Sequence, residues 1–238
     1  YSCLNYITLQ HIIETITGQS LRDFAKENIF DILGMQYTDY LPTIQQQDGK
    51  WINTVACPWM DRIAPTEKQK DGSVLCGQVH DPLARILNGG ISGNAGIFSN
   101  ANDIGILAAA LLNGGEYNGR RILSPLGVKT MCTVPRELTA FGRTPGWDIF
   151  SPYASNKGDL FSPNTFGHTG YTGTSIIIDP DNDTAVILLV NAVHPEDRHS
   201  IVRLRSLVAN AVAASICPPA QVYTDHYYKR FLQFETET

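Results

Sequence analysis

Nowhere in the 238 residues does an apolar run approach the roughly 18–20 needed to cross a bilayer. The longest, around residues 104–112 and 185–190, suit a core helix and a buried strand. Basic clusters are missing too. No Lys/Arg group exceeds two neighbours and the net charge is -5, which argues against a nucleic-acid-binding face. Paired cysteines are also lacking: Cys3, Cys57, Cys76, Cys132 and Cys217 are odd in number, scattered and without a C-x-x-C. That speaks against a zinc site or a dense disulfide framework, leaving at most one isolated bridge, with most thiols expected as small buried hydrophobes. The chain opens on Tyr1 rather than Met, so its N-terminus is expected to be missing, processed or cut away.

Ligand motifs are scarce as well. The six histidines are spread out, no H-E-x-x-H occurs, and His194 and His199 are awkwardly placed for one helical face. No metal site and no cofactor are expected on this spacing. The glycines of residues 89–96 do not form G-x-x-x-x-G-K-[ST] and read instead as a structural turn. Ser92 sits in Gly90-Ile91-Ser92-Gly93-Asn94, so G-x-S-x-G fails at its last position.

What is present is a globular composition, with 43% hydrophobic and 17% charged residues. Tyr6, Leu9, Ile13 and Ile16 recur at helical spacing over residues 5–17, with Gly18 as a C-terminal stop. Ser20 and Asp23 form the start signal of a second helix, closed at Leu33-Gly34-Met35. Asn100 with Asp103 predicts a cap for a third, ended by Asn113-Gly114-Gly115. Ser124-Pro125 opens a short helix through Met131. Two apolar runs, about 174–179 and 184–191, flank Asp179-Pro180-Asp181-Asn182-Asp183 and predict a hairpin covered on both faces. A final helix is expected over roughly 196–215, with Ile201, Leu204, Val208, Ala211 and Val212 on one stripe. Helices first, then a hairpin, then a helix to lie across it: the order predicts an α+β fold.

One stretch stands out. FGHTGYTGTS at residues 166–175 runs directly into Ile176-Ile177-Ile178, and Tyr1-Ser2-Cys3 precedes the first helix. Each triplet alone is weak: a turn with a histidine, a core tyrosine. Together with IFDILGMQYT, CGQVHDPLARILNGGISGNAGIFSNANDI, GWD and VNAVHP in order, they carry a resemblance over most of residues 1–215. The chain resembles the serine β-lactamase and penicillin-binding-protein superfamily, in its class C-like branch of esterases and D-aminopeptidases.

The resemblance implies an antiparallel sheet flanked by helices, plus a helical region, with residues 1–217 belonging to that domain and 218–238 forming a tail. It implies that Tyr1 is the family tyrosine, moving a proton off the nucleophilic serine and onto the leaving group. It places His168 first in the Lys-Thr-Gly-like motif, Thr169 and Gly170 in the wall holding substrate, and the Tyr171 N–H in the oxyanion hole. His168 replaces lysine, as in the peptidase and esterase branches. Cys3 stands where the family has an asparagine that bonds substrate, and a thiol is a poor substitute. No serine here has a lysine three residues on, so the Ser-x-x-Lys nucleophile and the first strands are expected to lie outside this chain.

Two functional expectations follow. One is the C-terminal part of a serine hydrolase acting on an ester, β-lactam or D-amino-acid peptide, inactive by itself. The other is a non-catalytic domain that binds peptidoglycan-type peptides. A small-molecule or peptide substrate, a homodimer or covering segment, and a periplasmic or extracellular site are expected with either.

Overall fold

The computed structural model describes residues 2–151, 157–198 and 200–216. Its α-helices among the described residues are α1 (Cys3–Thr17), α2 (Leu21–Ala25), α3 (Asp31–Leu33), α4 (Ala101–Leu112), α5 (Pro125–Cys132) and α6 (Val202–Ser215). A wider helical turn, Lys26–Phe30, joins α2 to α3. Three two-stranded ribbons precede the main sheet: β1 (Asp39–Tyr40) with β4 (Ile97–Phe98), β2 (Thr43–Gln45) with β3 (Trp51–Asn53), and β5 (Glu116–Tyr117) with β6 (Arg120–Arg121). The main sheet is an antiparallel meander of β7 (Phe166–Thr169), β8 (Ser175–Asp179) and β9 (Thr184–Leu188). No described helix is long and apolar enough to cross a membrane.

The helix starts follow the capping residues. The Ser20 hydroxyl accepts from the Asp23 N–H, Asn100 Oδ1 accepts from the Asp103 N–H at 2.8 Å, and Ser124 accepts from the Gly127 N–H at 3.0 Å. Each satisfies a donor that the first helical turn leaves unpaired. Asp103 does more than cap. Buried in the first turn of α4, its Oδ2 also accepts from the Tyr37 N–H at 2.7 Å and the Thr38 hydroxyl at 2.8 Å. That carboxylate ties the irregular stretch after α3 to the central helix.

Register sorts the sheet into two faces, since side chains alternate along a strand. Ile176 and Ile178 on β8, with Phe166 and Ala185 beside them, face α4 and α5 through Ala108, Leu111 and Val128. Ile177 and Val186 face the other way, onto Ala209, Val212 and Ala213 of α6. Consecutive isoleucines are therefore stable here because both faces are covered. A separate cluster of Phe30, Leu33, Met35, Tyr40 and Ala110 packs on the far side of α4.

Three expectations need correcting. The last helix begins at Val202, not 196. Its buried stripe is Ala209 with Val212 and Ala213, while Leu204 and Leu207 face outward; small residues let the helix approach the sheet closely. On α1 the inward position goes to Gln10, not to Leu9 or Ile16. Its amide donates to the Ile91 carbonyl at 3.1 Å and accepts from the Gly93 N–H at 3.0 Å, satisfying two backbone groups at once. A Cβ on Gly93 would sit 2.1 Å from the Tyr6 carbonyl oxygen, so only glycine permits this approach. Leu4, Leu9, Ile12 and Ile16 are left exposed. Among the four described cysteines, all free, Cys76 is exposed rather than buried. Cys132 does pack as a hydrophobe, and burial pushes its thiol up to about 11.

The 179–183 turn is held by a buried carboxylate. Asp179, 1% exposed, accepts from the Ser162 hydroxyl and N–H at 2.7 and 3.0 Å, the Asp181 N–H at 3.0 Å and the Asn182 amide at 2.7 Å. Burial opposes ionisation, but these bonds outweigh it and hold the carboxyl below its ordinary value. The folded pKa lies below the unfolded one, so the stabilisation is complete above about pH 4 and is lost as pH falls through the folded value. Asp179→Ala is expected to lower stability by about 3 kcal/mol at neutral pH, and by less in acid, when urea unfolding is followed at several pH values.

Candidate active site

Strand β7 carries the candidate wall. His168 pairs with Ile176 and Thr169 with Ser175, so His168 shares the face of Phe166 and Ile178. The chain then turns: the Gly170 N–H donates to the Thr174 carbonyl at 2.7 Å and the Gly173 N–H to the Gly170 carbonyl at 3.1 Å. The Ala192 N–H donates to the Thr172 carbonyl at 2.7 Å, fastening the turn to the segment after β9. Gly173 adopts φ +124°, and a Cβ there would lie 2.4 Å from the Val190 carbonyl oxygen. Within this turn the Tyr171 N–H donates to no described residue. Its side chain is exposed, with the hydroxyl donating to Asp197 at 2.5 Å and the ring stacked on His80. The Asp197 bond raises the phenol's pKa above its ordinary value.

The turn is braced from behind. Arg205, on α6, donates through Nη2 to the Gly170 carbonyl at 2.8 Å and the Thr174 carbonyl at 3.0 Å. The guanidinium thus occupies two of the turn's carbonyls. Burial lowers its pKa, which still leaves an arginine charged.

The outer edge of β7 is occupied in part. Asp148, of Gly146-Trp147-Asp148, exchanges both backbone hydrogen bonds with Gly167, at 2.9 and 3.0 Å. This bridge places the Asp148 carboxylate near His168. Asp148 is buried, and it accepts from the Ser151 N–H at 3.1 Å and hydroxyl at 2.6 Å, and from Arg143 Nη1 at 3.1 Å. Arg143 Nη2 in turn lies 3.0 Å from His168 Nε2, while His168 Nδ1 lies 2.9 Å from the Thr169 carbonyl. Burial lowers the imidazole's pKa, and the neighbouring guanidinium lowers it further.

The structure therefore brings His168, Thr169, Gly170 and Tyr171 together on one strand and its turn. Cys3 stands in the first turn of α1, half-buried, and no hydrogen bond joins it to them. Tyr1 lies outside the described residues. Sequence reasoning missed Arg143, Ser151 and Arg205. Asp148 was visible as part of Gly-Trp-Asp, but no local pattern ties it to a residue nineteen positions on. Ser92, near-miss of the nucleophile pattern, is buried, with Asn88 donating to its hydroxyl and that hydroxyl donating to Asn94.

Similarity to known proteins runs over most of the chain. A family model described as Beta-lactamase matches residues 1–210. A relative from Escherichia coli (strain K12), named "Putative D-alanyl-D-alanine carboxypeptidase", is 36% identical over 208 residues, covering 82% of this chain and 45% of its own. The chain thus spans about half the length of the curated relatives it matches. A β-lactamase from Mycobacterium bovis superposes with a TM-score of 0.58 at 20% identity, over 90% of this chain and 63% of that one. An octameric penicillin-binding protein homologue from Pyrococcus abyssi gives 0.52 at 19% identity, over 92% and 43%. These two likenesses show the fold.

Gly173→Ala is expected to destabilise by about 1–3 kcal/mol, from the strained φ and the clash with Val190. A thermal melt beside the parent chain checks it.

Proposed function

The chain belongs to the β-lactamase family, and from that premise we propose that it carries the substrate-binding wall of a serine hydrolase. The bond cleaved is an ester or amide, and the relative's name favours a peptide ending in D-amino acids. The supporting observation is the 170–174 turn: the Gly170 and Thr174 carbonyls are held by Arg205 and by the chain, and the Tyr171 N–H donates to no described residue.

The chemistry runs as follows in this reading. A serine hydroxyl, supplied from outside the 238 residues, attacks the scissile carbonyl as its proton passes to the phenolic oxygen of Tyr1. The Tyr171 N–H and the serine's own N–H receive the developing oxyanion, each donor contributing roughly 2.7–4 kcal/mol. The tetrahedral species collapses, breaking the bond to the amine or alcohol, which Tyr1 protonates. Water then releases the acyl group. Cys3, in place of a hydrogen-bonding amide, favours a second reading, a domain that binds such peptides without turning them over.

The exposed apolar residues of α1 extend this proposal. A helix apolar on two sides suits burial on two sides. Leu4, Leu9, Ile12 and Ile16 fit beneath the segment that supplies the nucleophile, or beneath a second copy of this chain. By the same family resemblance the protein works in the periplasm or outside the cell.

The decisive assay compares the 238-residue chain with the longer protein encoded through the sequence upstream of Tyr1. A D-alanyl-D-alanine peptide, a chromogenic β-lactam and a p-nitrophenyl ester serve as substrates. The longer protein is expected to turn over at least one and the short chain none. Saturable peptide binding without turnover in the longer protein would establish the second reading instead. The short chain is also expected to bind a dye for apolar surface, or to dimerise; a monodisperse monomer with low dye signal would contradict the covered face.

A further inference from the structure

The histidine of the wall has a feature that the family motif does not contain: a guanidinium bound to its ring. Arginine only donates hydrogen bonds, so the contact between Arg143 Nη2 and His168 Nε2 at 3.0 Å requires a lone pair on Nε2. A carbonyl only accepts, so the contact between His168 Nδ1 and the Thr169 carbonyl at 2.9 Å requires the proton on Nδ1. The two neighbours together specify one tautomer and one charge state: neutral, Nδ1–H.

Arg143 is itself held in place. Its Nη1 donates to Asp148 at 3.1 Å, and Asp148 is locked by its backbone bridge to Gly167 and by both bonds from Ser151. The charged groups facing the imidazole among the described residues are therefore Arg143 and Asp148, one of each sign. Lys157 acts on Asp148 rather than on the ring.

We propose that Arg143 is the positioning residue of the wall: anchored by Asp148, it holds His168 as a neutral Nδ1–H imidazole. An arginine does not titrate in any working range, whereas a histidine does. With the imidazole held neutral, the Arg143–Asp148 pair and the ring carry the same charges at pH 6 as at pH 8. The functional meaning rests on the hydrolase reading above; the tautomer does not.

The test is two-bond proton–nitrogen NMR on the 238-residue chain labelled at histidine, with His168 assigned by loss of its signal in His168→Gln. The expected pattern is a protonated Nδ1 and an unprotonated Nε2, with no titration near the ordinary histidine value. In Arg143→Met the midpoint is expected to rise by about one pH unit or more, as a neighbouring cation is removed. Arg143→Lys, which can still donate, is expected to restore most of the shift. An Nε2–H tautomer in the unaltered chain, or His168 titrating there at its ordinary value, overturns the proposal. So does an unchanged midpoint in a folded Arg143→Met chain, with folding checked by circular dichroism. Should that variant unfold, the spectrum of the unaltered chain decides alone. None of these readouts needs turnover, so an inactive longer protein would sink the hydrolase reading and leave this one standing.

Discussion

Ile177 and Ile178 point in opposite directions, and the described structure is organised by that fact. β8 is the middle strand of the main sheet, so its two faces must both be removed from water. α4 and α5 cover Ile176 and Ile178, and α6 covers Ile177. A slip of one residue in the pairing would exchange the faces and set His168 toward α6. The register that buries the isoleucines is thus also the register that aims the motif. Asp179 terminates the strand with a buried carboxylate that four donors satisfy, which pins that register from the turn end.

The proposed wall is assembled from three separate stretches of chain, each contributing what β7 lacks. Arg205 reaches from α6 to the Gly170 and Thr174 carbonyls, while the Tyr171 N–H donates to no described residue. Asp148 pairs with Gly167 and brings Arg143 to His168. The Val190 carbonyl closes over Gly173, which is why no larger residue fits there. In the proposed reading such pre-set polar groups serve acyl transfer, because dipoles already aligned need no reorganisation during the reaction. Arg143 and Arg205, both half-buried, are held by specific acceptors, so each contributes direction as well as charge.

Much of the architecture was legible in the residues. The caps at Ser20, Asn100 and Ser124 were readable because capping is local chemistry, decided within four positions. The hairpin was readable from its turn residues and apolar flanks. The inward face of α1 was not. Periodicity marked Leu9 and Ile16, yet Gln10 points inward because it satisfies two backbone groups more than eighty positions away. On α6 the stripe of large residues misled for a related reason: Ala209 and Ala213 allow the close approach that leucine prevents.

The sequence by itself determined that this chain is α+β, that FGHTGYTGTS runs directly into an apolar strand, and that no serine has a lysine three residues on. Those are properties of composition, order and spacing. Only the tertiary structure decided which charge accompanies the motif. Arg143 and His168 are twenty-five residues apart, and their contact exists because Asp148 pairs with Gly167 across the strand edge. A hydrogen bond of that kind depends on register between distant segments, which spacing alone does not encode.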